Sequence, residues 1–252
     1  MLRLRPGVRR PLLLAGVLEA DPTPPPETGV PPVALPRRLA AELVGTGLLV
    51  AVVVGSGIAA QRLSTDAGLR LLENALATGA GLVALILALG SVSGARFNPV
   101  LTLSVVVEGD LDARTGAAEA VAQTAGGIGG AILANAMFGL PAVAWSTRQR
   151  SSAALWLGEV VATFGLLTVI LGVSRSRHPH HAAFAVAAYI TAAYWFTSST
   201  SFANPAVTIA RTATDSFSGI APSSAPAFIG AQVVGGAVAV GLDRFLRPRT
   251  LR

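Results

Sequence analysis

Apolar runs of about 20 residues dominate the chain from Leu39 onward, and polar residues collect in the short stretches between them. A run of that length is what an α-helix needs to cross the hydrocarbon core of a bilayer. The pattern predicts six spans, near 39–60, 71–91, 116–138, 154–173, 182–200 and 225–242. Two shorter apolar runs remain, near 98–107 and 204–213, and a helix of that length spans only about half a bilayer.

Each short run opens with Asn-Pro, first at Asn98 and Pro99 and again at Asn204 and Pro205. Asn is a favoured helix N-cap and Pro a favoured first helical residue. The pattern therefore predicts two half-helices that begin inside the membrane. Interrupted segments at corresponding places in two halves of a membrane protein indicate a permeation site.

Other markers repeat in the same order as the two Asn-Pro pairs. Glu42 is matched by Glu159, and Gln123, followed by glycines, is matched by Gln232. Three spans per half is an odd number, so the halves are predicted to be inverted relative to each other. The expected fold class is an all-α membrane protein with six transmembrane helices, two re-entrant half-helices and an inverted 3+3 repeat. The half-helices would then meet near the midplane.

Composition agrees with this class. The chain of 252 residues is 52% hydrophobic, has a mean hydropathy of +0.61 and only 13% charged residues, which is typical of a polytopic membrane protein rather than a soluble domain. It contains no cysteine, so it has no disulfide or thiol chemistry. We find no nucleophile–base constellation, no phosphate-binding loop and no nucleic-acid-binding pattern, so no enzyme activity, cofactor, metal or nucleic-acid partner is expected.

The channel domain is expected over 37–245, with repeat one at about 37–140 and repeat two at about 152–245. Residues 1–36 form a Pro- and Arg-rich tail that is predicted to be disordered, a cleaved signal peptide being the less favoured interpretation. Residues 246–252 form a basic C-terminal tail. Arginines flank the spans mainly on the side of both termini, which the positive-inside rule makes cytoplasmic. The expected location is the inner (plasma) membrane.

The N-terminal ends of the two half-helices are predicted to provide positive potential and hydrogen-bond donors at the midplane. Each presents the positive end of its dipole, about half a charge, and the amides of Asn98 and Asn204 are predicted to donate hydrogen bonds into a pore. Donors and positive potential together pass neutral hydroxylated solutes and repel protons and cations. The simpler interpretation is that both Asn residues only cap helices.

Several ionisable residues have two possible interpretations. Glu42 and Glu159 could couple protons to transport or, as we favour, accept hydrogen bonds from the re-entrant loops. Gln123 and Gln232 are predicted to brace the same loops. The cluster of His178, His180 and His181 could bind a metal or gate by pH, but a polar loop is favoured. Arg211 is expected to anchor the second half-helix at the outer interface.

Both Asn-Pro motifs, the Glu-x-x-x-Thr pairs at Glu42 and Glu159, and the Gln-x-x-Gly pairs at Gln123 and Gln232 resemble the major intrinsic protein family, the aquaporins and aquaglyceroporins. The resemblance covers essentially the whole chain except the tail. It implies one pore per protomer, a homotetramer, and passive conduction of water or small neutral solutes without a cofactor. It also implies a pore midplane formed by Asn98, Pro99, Val100, Asn204, Pro205 and Ala206.

Departures from the family pattern are informative. Val100 stands where Ala is usual, Arg96 where His is common, and Val207 where the outer constriction normally carries Arg. By spacing, the constriction is predicted to consist of Thr78, Ala192, Ser201 and Val207. Such a mouth would be wide, with little charge or polarity.

The segment 202–221 resembles a bacterial subgroup that is often associated with arsenic resistance. The sequence therefore predicts a channel for small uncharged solutes, with glycerol-like polyols and neutral metalloid hydroxides such as arsenous acid as candidates, that also conducts water. The alternatives are a water-selective aquaporin, a proton-coupled carrier that uses Glu42 or Glu159, and a structural membrane protein that barely conducts.

Overall fold

The computed structural model describes residues 33–247. Of the predicted tails, 1–36 and 246–252, all but residues 33–36 and 246–247 lie outside the described residues. The described chain forms eight α-helices and no strand. They are α1 (Leu35–Leu63), α2 (Ala67–Ser93), α3 (Pro99–Val107), α4 (Ala113–Met137), α5 (Ala153–Ser174), α6 (Ala182–Phe196), α7 (Pro205–Ala210) and α8 (Ala225–Leu246). The expected order of six long helices and two short ones is therefore present.

Helix ends follow local chemistry. Asp66, Asp112 and Ser152 cap α2, α4 and α5 by accepting hydrogen bonds from backbone N–H groups in the first turn. α1 begins at Leu35, two residues before the expected start of the channel domain. α6 ends at Phe196 rather than near 200, because the following residues form the loop that leads to α7. α1, α2, α5 and α8 are long and apolar enough to cross a membrane by length and composition.

Close crossings of small residues hold each half together. In the first, a Cβ on Gly126 or Gly130 of α4 would overlap a backbone carbonyl oxygen of α1. In the second, a Cβ on Gly235 of α8 would overlap the carbonyl of Val160 in α5. Glycine thus lets α1 pack on α4 and α5 on α8 at backbone distance, as is usual where helices associate in lipid. Contacts between α2 and α6 join the halves.

Ion pairs concentrate at the terminal face, which we define as the face where α1 begins and α8 ends. Buried Glu119 pairs with Arg38 and Arg96. Nearby, the arginines that follow α5 and end α8 pair with Glu108 and Asp243. Within residues 33–247 no ion pair lies at the opposite face, which we call the loop face and which contains Arg62, Arg148 and Arg150.

Candidate functional site

The half-helices α3 and α7 meet through two reciprocal hydrogen bonds. Asn98 Oδ1 accepts from Val100 N at 3.0 Å and caps α3, while its Nδ2 donates to Ala203 O at 2.8 Å. Asn204 Oδ1 caps α7, and its Nδ2 donates to Phe97 O at 2.7 Å. The sequence predicts that both amides donate into a pore, and in the structure each NH₂ group also donates to a carbonyl of the other repeat. One hydrogen of each amide joins the two repeats, and one remains for the cavity.

The backbone leading to each half-helix is left-handed at equivalent positions. Ala95 and Phe97 have φ of +48° and +49°, and Ser201 and Ala203 have φ of +51° and +49°. Thr200 is also left-handed, at +62°. Such a conformation costs about 1–2 kcal/mol for a residue with a side chain. Both approach loops are therefore strained, and other groups must hold them.

Glu42 holds the first approach loop through four hydrogen bonds. Its Oε1 accepts from Ser93 Oγ at 2.6 Å and from Arg96 N at 3.0 Å. Its Oε2 accepts from Phe97 N at 2.7 Å and from Gln123 Nε2 at 2.7 Å. The carboxylate is 0% exposed, so these donors replace its hydration.

Glu159 makes three of the four equivalent bonds in the second repeat, the exception being the bond from a serine hydroxyl. Its Oε1 accepts from Phe202 N at 2.9 Å, and its Oε2 accepts from Ala203 N at 2.9 Å and from Gln232 Nε2 at 2.6 Å. Glu159 is also 0% exposed. These contacts are the ones that a loop brace requires, and neither carboxylate lines the cavity described next.

A cavity of about 120 Å³ passes between the two repeats and is bordered near its middle by Asn98 and Asn204. Most of its remaining wall is apolar. It comprises side chains from five helices: Leu49, Val53, Leu82, Ile86, Leu101, Leu166, Ile170, Val186 and Ile190.

Four residues predicted at the pore midplane lie behind this wall instead. Pro99, Val100, Pro205 and Ala206 do not line the cavity. Val100 is buried against Gly236 of α8, where a Cβ would overlap its side chain, and the carbonyl of Ala206 faces α4. The helix direction explains this correction, because each half-helix turns its first two residues toward neighbouring helices, whereas its capping Asn and the next residues in helical register, Leu101 in α3 and Val207 in α7, face the cavity.

Three of the four residues predicted at the outer constriction line the cavity. Thr78, Ser201 and Val207 line the cavity, but Ala192 is exposed on another side of α6. Tyr194 takes its place, with its hydroxyl 3.1 Å from Thr78 Oγ1. The cavity-lining residues of α6 are spaced four apart from Ala182 to Tyr194, and this helical spacing excludes position 192. Tyr194 could have been predicted from the sequence by following this four-residue spacing along α6.

Arg211 was expected at the outer interface but lies against the cavity. Only 2% of the residue is exposed. Its guanidinium carbon stands 3.4 Å from the ring centroid of Phe202, and its Nε donates to Ser218 O. The mouth beside Val207 therefore contains a guanidinium and a phenol, contrary to the prediction of little charge and polarity.

Arg96 lines the other end of the cavity. Its Nε donates to Glu119 Oε2 at 2.8 Å and its Nη2 to Glu119 Oε1 at 2.5 Å. Arg38 Nη2 donates to the same carboxylate at 2.7 Å. This end is thus an ion-paired mouth in which the Arg96 side chain is fixed against α4.

A second arginine stacks on Phe202 from the loop between α4 and α5. Arg150 lies 5.0 Å from that ring centroid, and its Nε donates to Gly219 O at 3.0 Å. Burial, followed by repulsion from Arg211 and Arg148, lowers the pKa of Arg150 to about 9. Arg150 therefore remains cationic near pH 7, and the loop-face end of the cavity is electropositive.

The three histidines lie on the exposed segment before α6, with ring centroids 4.3–5.6 Å apart. Within residues 33–247 no group of three or more His, Cys, Asp or Glu side chains is arranged to hold a metal ion. A role for His178, His180 and His181 in gating stays a prediction.

Comparison with known proteins places these features in a family. The family described as "Major intrinsic protein" matches residues 32–191. The chain is 50% identical over 212 residues to "Aquaglyceroporin AqpS" of Rhizobium meliloti (strain 1021), covering 84% of this chain and 91% of that protein. It is 30% identical over 156 residues to "Aquaporin Z" of Bradyrhizobium diazoefficiens, covering 57% and 65% of the two chains.

The fold also has a counterpart among solved structures. The X-ray structure of the aquaglyceroporin from Plasmodium falciparum superposes with a TM-score of 0.71 at 19% sequence identity, covering 85% of this chain and 98% of that one. At that identity the likeness concerns the fold alone.

Proposed function

The chain belongs to the major intrinsic protein family, and from that premise we propose that it is a passive membrane channel that admits glycerol-like polyols, arsenous acid and water. Family membership and the aquaglyceroporin relative support a channel for small neutral solutes such as glycerol, and not an enzyme. The observation that carries the proposal is the junction of α3 and α7, where Asn98 and Asn204 border the cavity between two helix N-termini.

The wall chemistry suits a polyol. One remaining N–H of Asn98 and one of Asn204 can donate to a solute hydroxyl, while the apolar side chains from Leu49 to Ile190 accommodate the carbon chain. The half-helix dipoles add positive potential at the same level, which disfavours cations but not neutral molecules. Arsenous acid is uncharged near neutral pH and presents hydroxyls as glycerol does, so the same wall can accept it.

Two of the alternatives, the water-selective aquaporin and the proton-coupled carrier, have less support. A water-selective pore would be favoured by an arginine at 207, but Val207 stands there beside Thr78 and Ser201. A proton-coupled carrier would need Glu42 or Glu159 to face the pathway. Both carboxylates are instead fully buried and engaged with loop N–H groups.

Glu42, Glu159, Gln123 and Gln232 act in this proposal as braces that keep the strained approach loops open. We further propose a homotetramer, as the family implies, in the inner (plasma) membrane with both termini cytoplasmic. The positive-inside rule supports this orientation, since Arg37, Arg38, Arg175, Arg177, Arg244 and Arg247 all belong to the terminal face.

Stopped-flow light scattering on purified protein in liposomes tests the function. We expect glycerol and arsenous acid to enter well above the rate of empty liposomes, together with water. Val207→Arg should reduce uptake of both solutes below the native rate, because a long cationic side chain would narrow the mouth beside Thr78 and Tyr194. Fast water flux without solute entry would refute the proposal, and an unchanged rate in Val207→Arg would refute its account of the mouth.

A further inference from the structure

Position 207 lacks the arginine of the family's outer constriction, but a guanidinium is present one helical turn farther on. Val207 and Arg211 both line the cavity, and Arg211 N donates to Val207 O. Four residues of helix correspond to a rise of about 6 Å. The side chain of Arg211 is therefore placed slightly nearer the loop face than one at 207 would be.

Two contacts and nearly complete burial hold Arg211 in that position. Its guanidinium stacks on Phe202, its Nε donates to Ser218 O, and the residue is 2% exposed. Within residues 33–247 no carboxylate forms an ion pair with it. Burial of an unpaired charge is costly unless other groups stabilise it. Here the ring face of Phe202 and the carbonyl of Ser218 stabilise the guanidinium, and neither neutralises its positive charge beside the cavity.

We propose that Arg211 is the selectivity-determining positive charge of the outer constriction, substituting from the next turn of α7 for the arginine absent at 207. This assignment rests on the proposed channel function. In this arrangement size and charge selection are separated along the path. Val207, Thr78 and Tyr194 limit the width of the cavity. Arg211 repels protons, hydronium and alkali cations on the loop-face side of these three residues.

The separation has a consequence for substrates. An arginine at 207 would both narrow the mouth and charge it, whereas Arg211 is folded back onto Phe202 and leaves the space beside Val207 open. The channel can therefore admit neutral solutes larger than water without losing its barrier to cations.

Arg211→Met tests the charge while keeping a long apolar side chain against Phe202. Arg62→Met is the matched control, since Arg62 also lies over a phenylalanine ring, at 5.1 Å from Phe138, and also donates to a carbonyl, but it does not line the cavity. Both are compared with the native protein in liposomes. Glycerol uptake is followed by light scattering, and proton and potassium entry by an entrapped pH dye and a potassium-sensitive dye.

We expect proton and potassium entry in Arg211→Met to rise at least about tenfold, because a unit charge a few ångströms from the path changes the ion's barrier by that much or more at an effective dielectric constant near 20. Glycerol uptake should stay within about threefold of native, and Arg62→Met should match native in all three fluxes. Arg211→Lys, which keeps the charge, should remain tight to cations.

Normal glycerol uptake in Arg211→Met without a rise in cation entry would overturn the assignment. If Arg211→Met fails to fold, Arg211→Gln, which retains a donor for Ser218, replaces it with the same expectation. If neither neutral variant folds while Arg211→Lys does, the charge serves stability and the assignment is also overturned. Absence of glycerol uptake by the native protein would instead count against the proposed function, whatever the cation fluxes show.

Discussion

Replacing Glu159 by glutamine removes one specific hydrogen bond and little else. The carboxylate accepts from Phe202 N through one oxygen and from Ala203 N through the other. Glutamine has a single acceptor oxygen and an NH₂ group in place of the second. Whichever way the amide turns, one buried backbone N–H therefore faces another donor. Rotation of Gln232 can restore its own bond but not that of the loop.

A buried N–H left without an acceptor costs about 1–3 kcal/mol, and loss of the negative charge weakens the bond that remains. We expect Glu159→Gln to lower the unfolding free energy by about 2–3 kcal/mol. For a chain of this size each kcal/mol shifts the melting temperature by about 2–4 °C. Fluorescence-detected melting in detergent micelles should thus show a decrease of about 4–12 °C, with reduced glycerol uptake as the left-handed loop relaxes into the cavity.

Glu73→Gln is the control, because it makes the same chemical change on α2 at a half-buried residue outside the cavity. It should melt within about 1–2 °C of the native protein, as substitutions away from bonded networks usually do. Equal melting temperatures for Glu159→Gln, Glu73→Gln and the native protein would refute the claim that Glu159 holds the strained loop.

Two further expectations concern helix packing and pH. Gly130→Ala should destabilise the fold by about 1–3 kcal/mol, because its Cβ would overlap a backbone carbonyl of α1 that cannot rotate away. Gly129→Ala, whose Cβ would meet nothing, should melt at or above the native temperature; equal melting of the two variants would contradict the close crossing. The hydrogen bonds from Thr115 lower the pKa of Asp112. The unfolded chain then binds the proton more tightly than the folded chain does. The stability that this cap contributes is therefore present above about pH 4 and is lost as the pH falls further. Between pH 5 and pH 3 the melting temperature of the native protein should therefore fall further than that of Asp112→Asn, because asparagine caps the helix without titrating. Equal decreases in the two proteins would exclude this cap as a source of acid sensitivity.

Local chemistry and internal repetition made much of the fold predictable. Asn98 and Asn204 were recognisable as caps of half-helices because Asn followed by Pro has few other uses inside an apolar stretch. The matching order of Glu42 and Glu159 identified two related halves. These features depend on residues close in sequence or on comparison of the chain with itself, and neither requires knowledge of how helices rotate.

The sequence by itself thus determined the membrane class, the helix order, the two half-helices and the family. Only the tertiary structure decided which side chains face the cavity. Position 192 was assigned by spacing, whereas the rotation of α6 against α2 brings Tyr194 to Thr78. Arg211 was assigned to the interface, whereas its charge lies over Phe202 beside the cavity. Both outcomes depend on helix rotation and on the rotamers of long side chains. Packing among segments that are distant in sequence determines both the helix rotations and the rotamers, so a local sequence pattern cannot predict them.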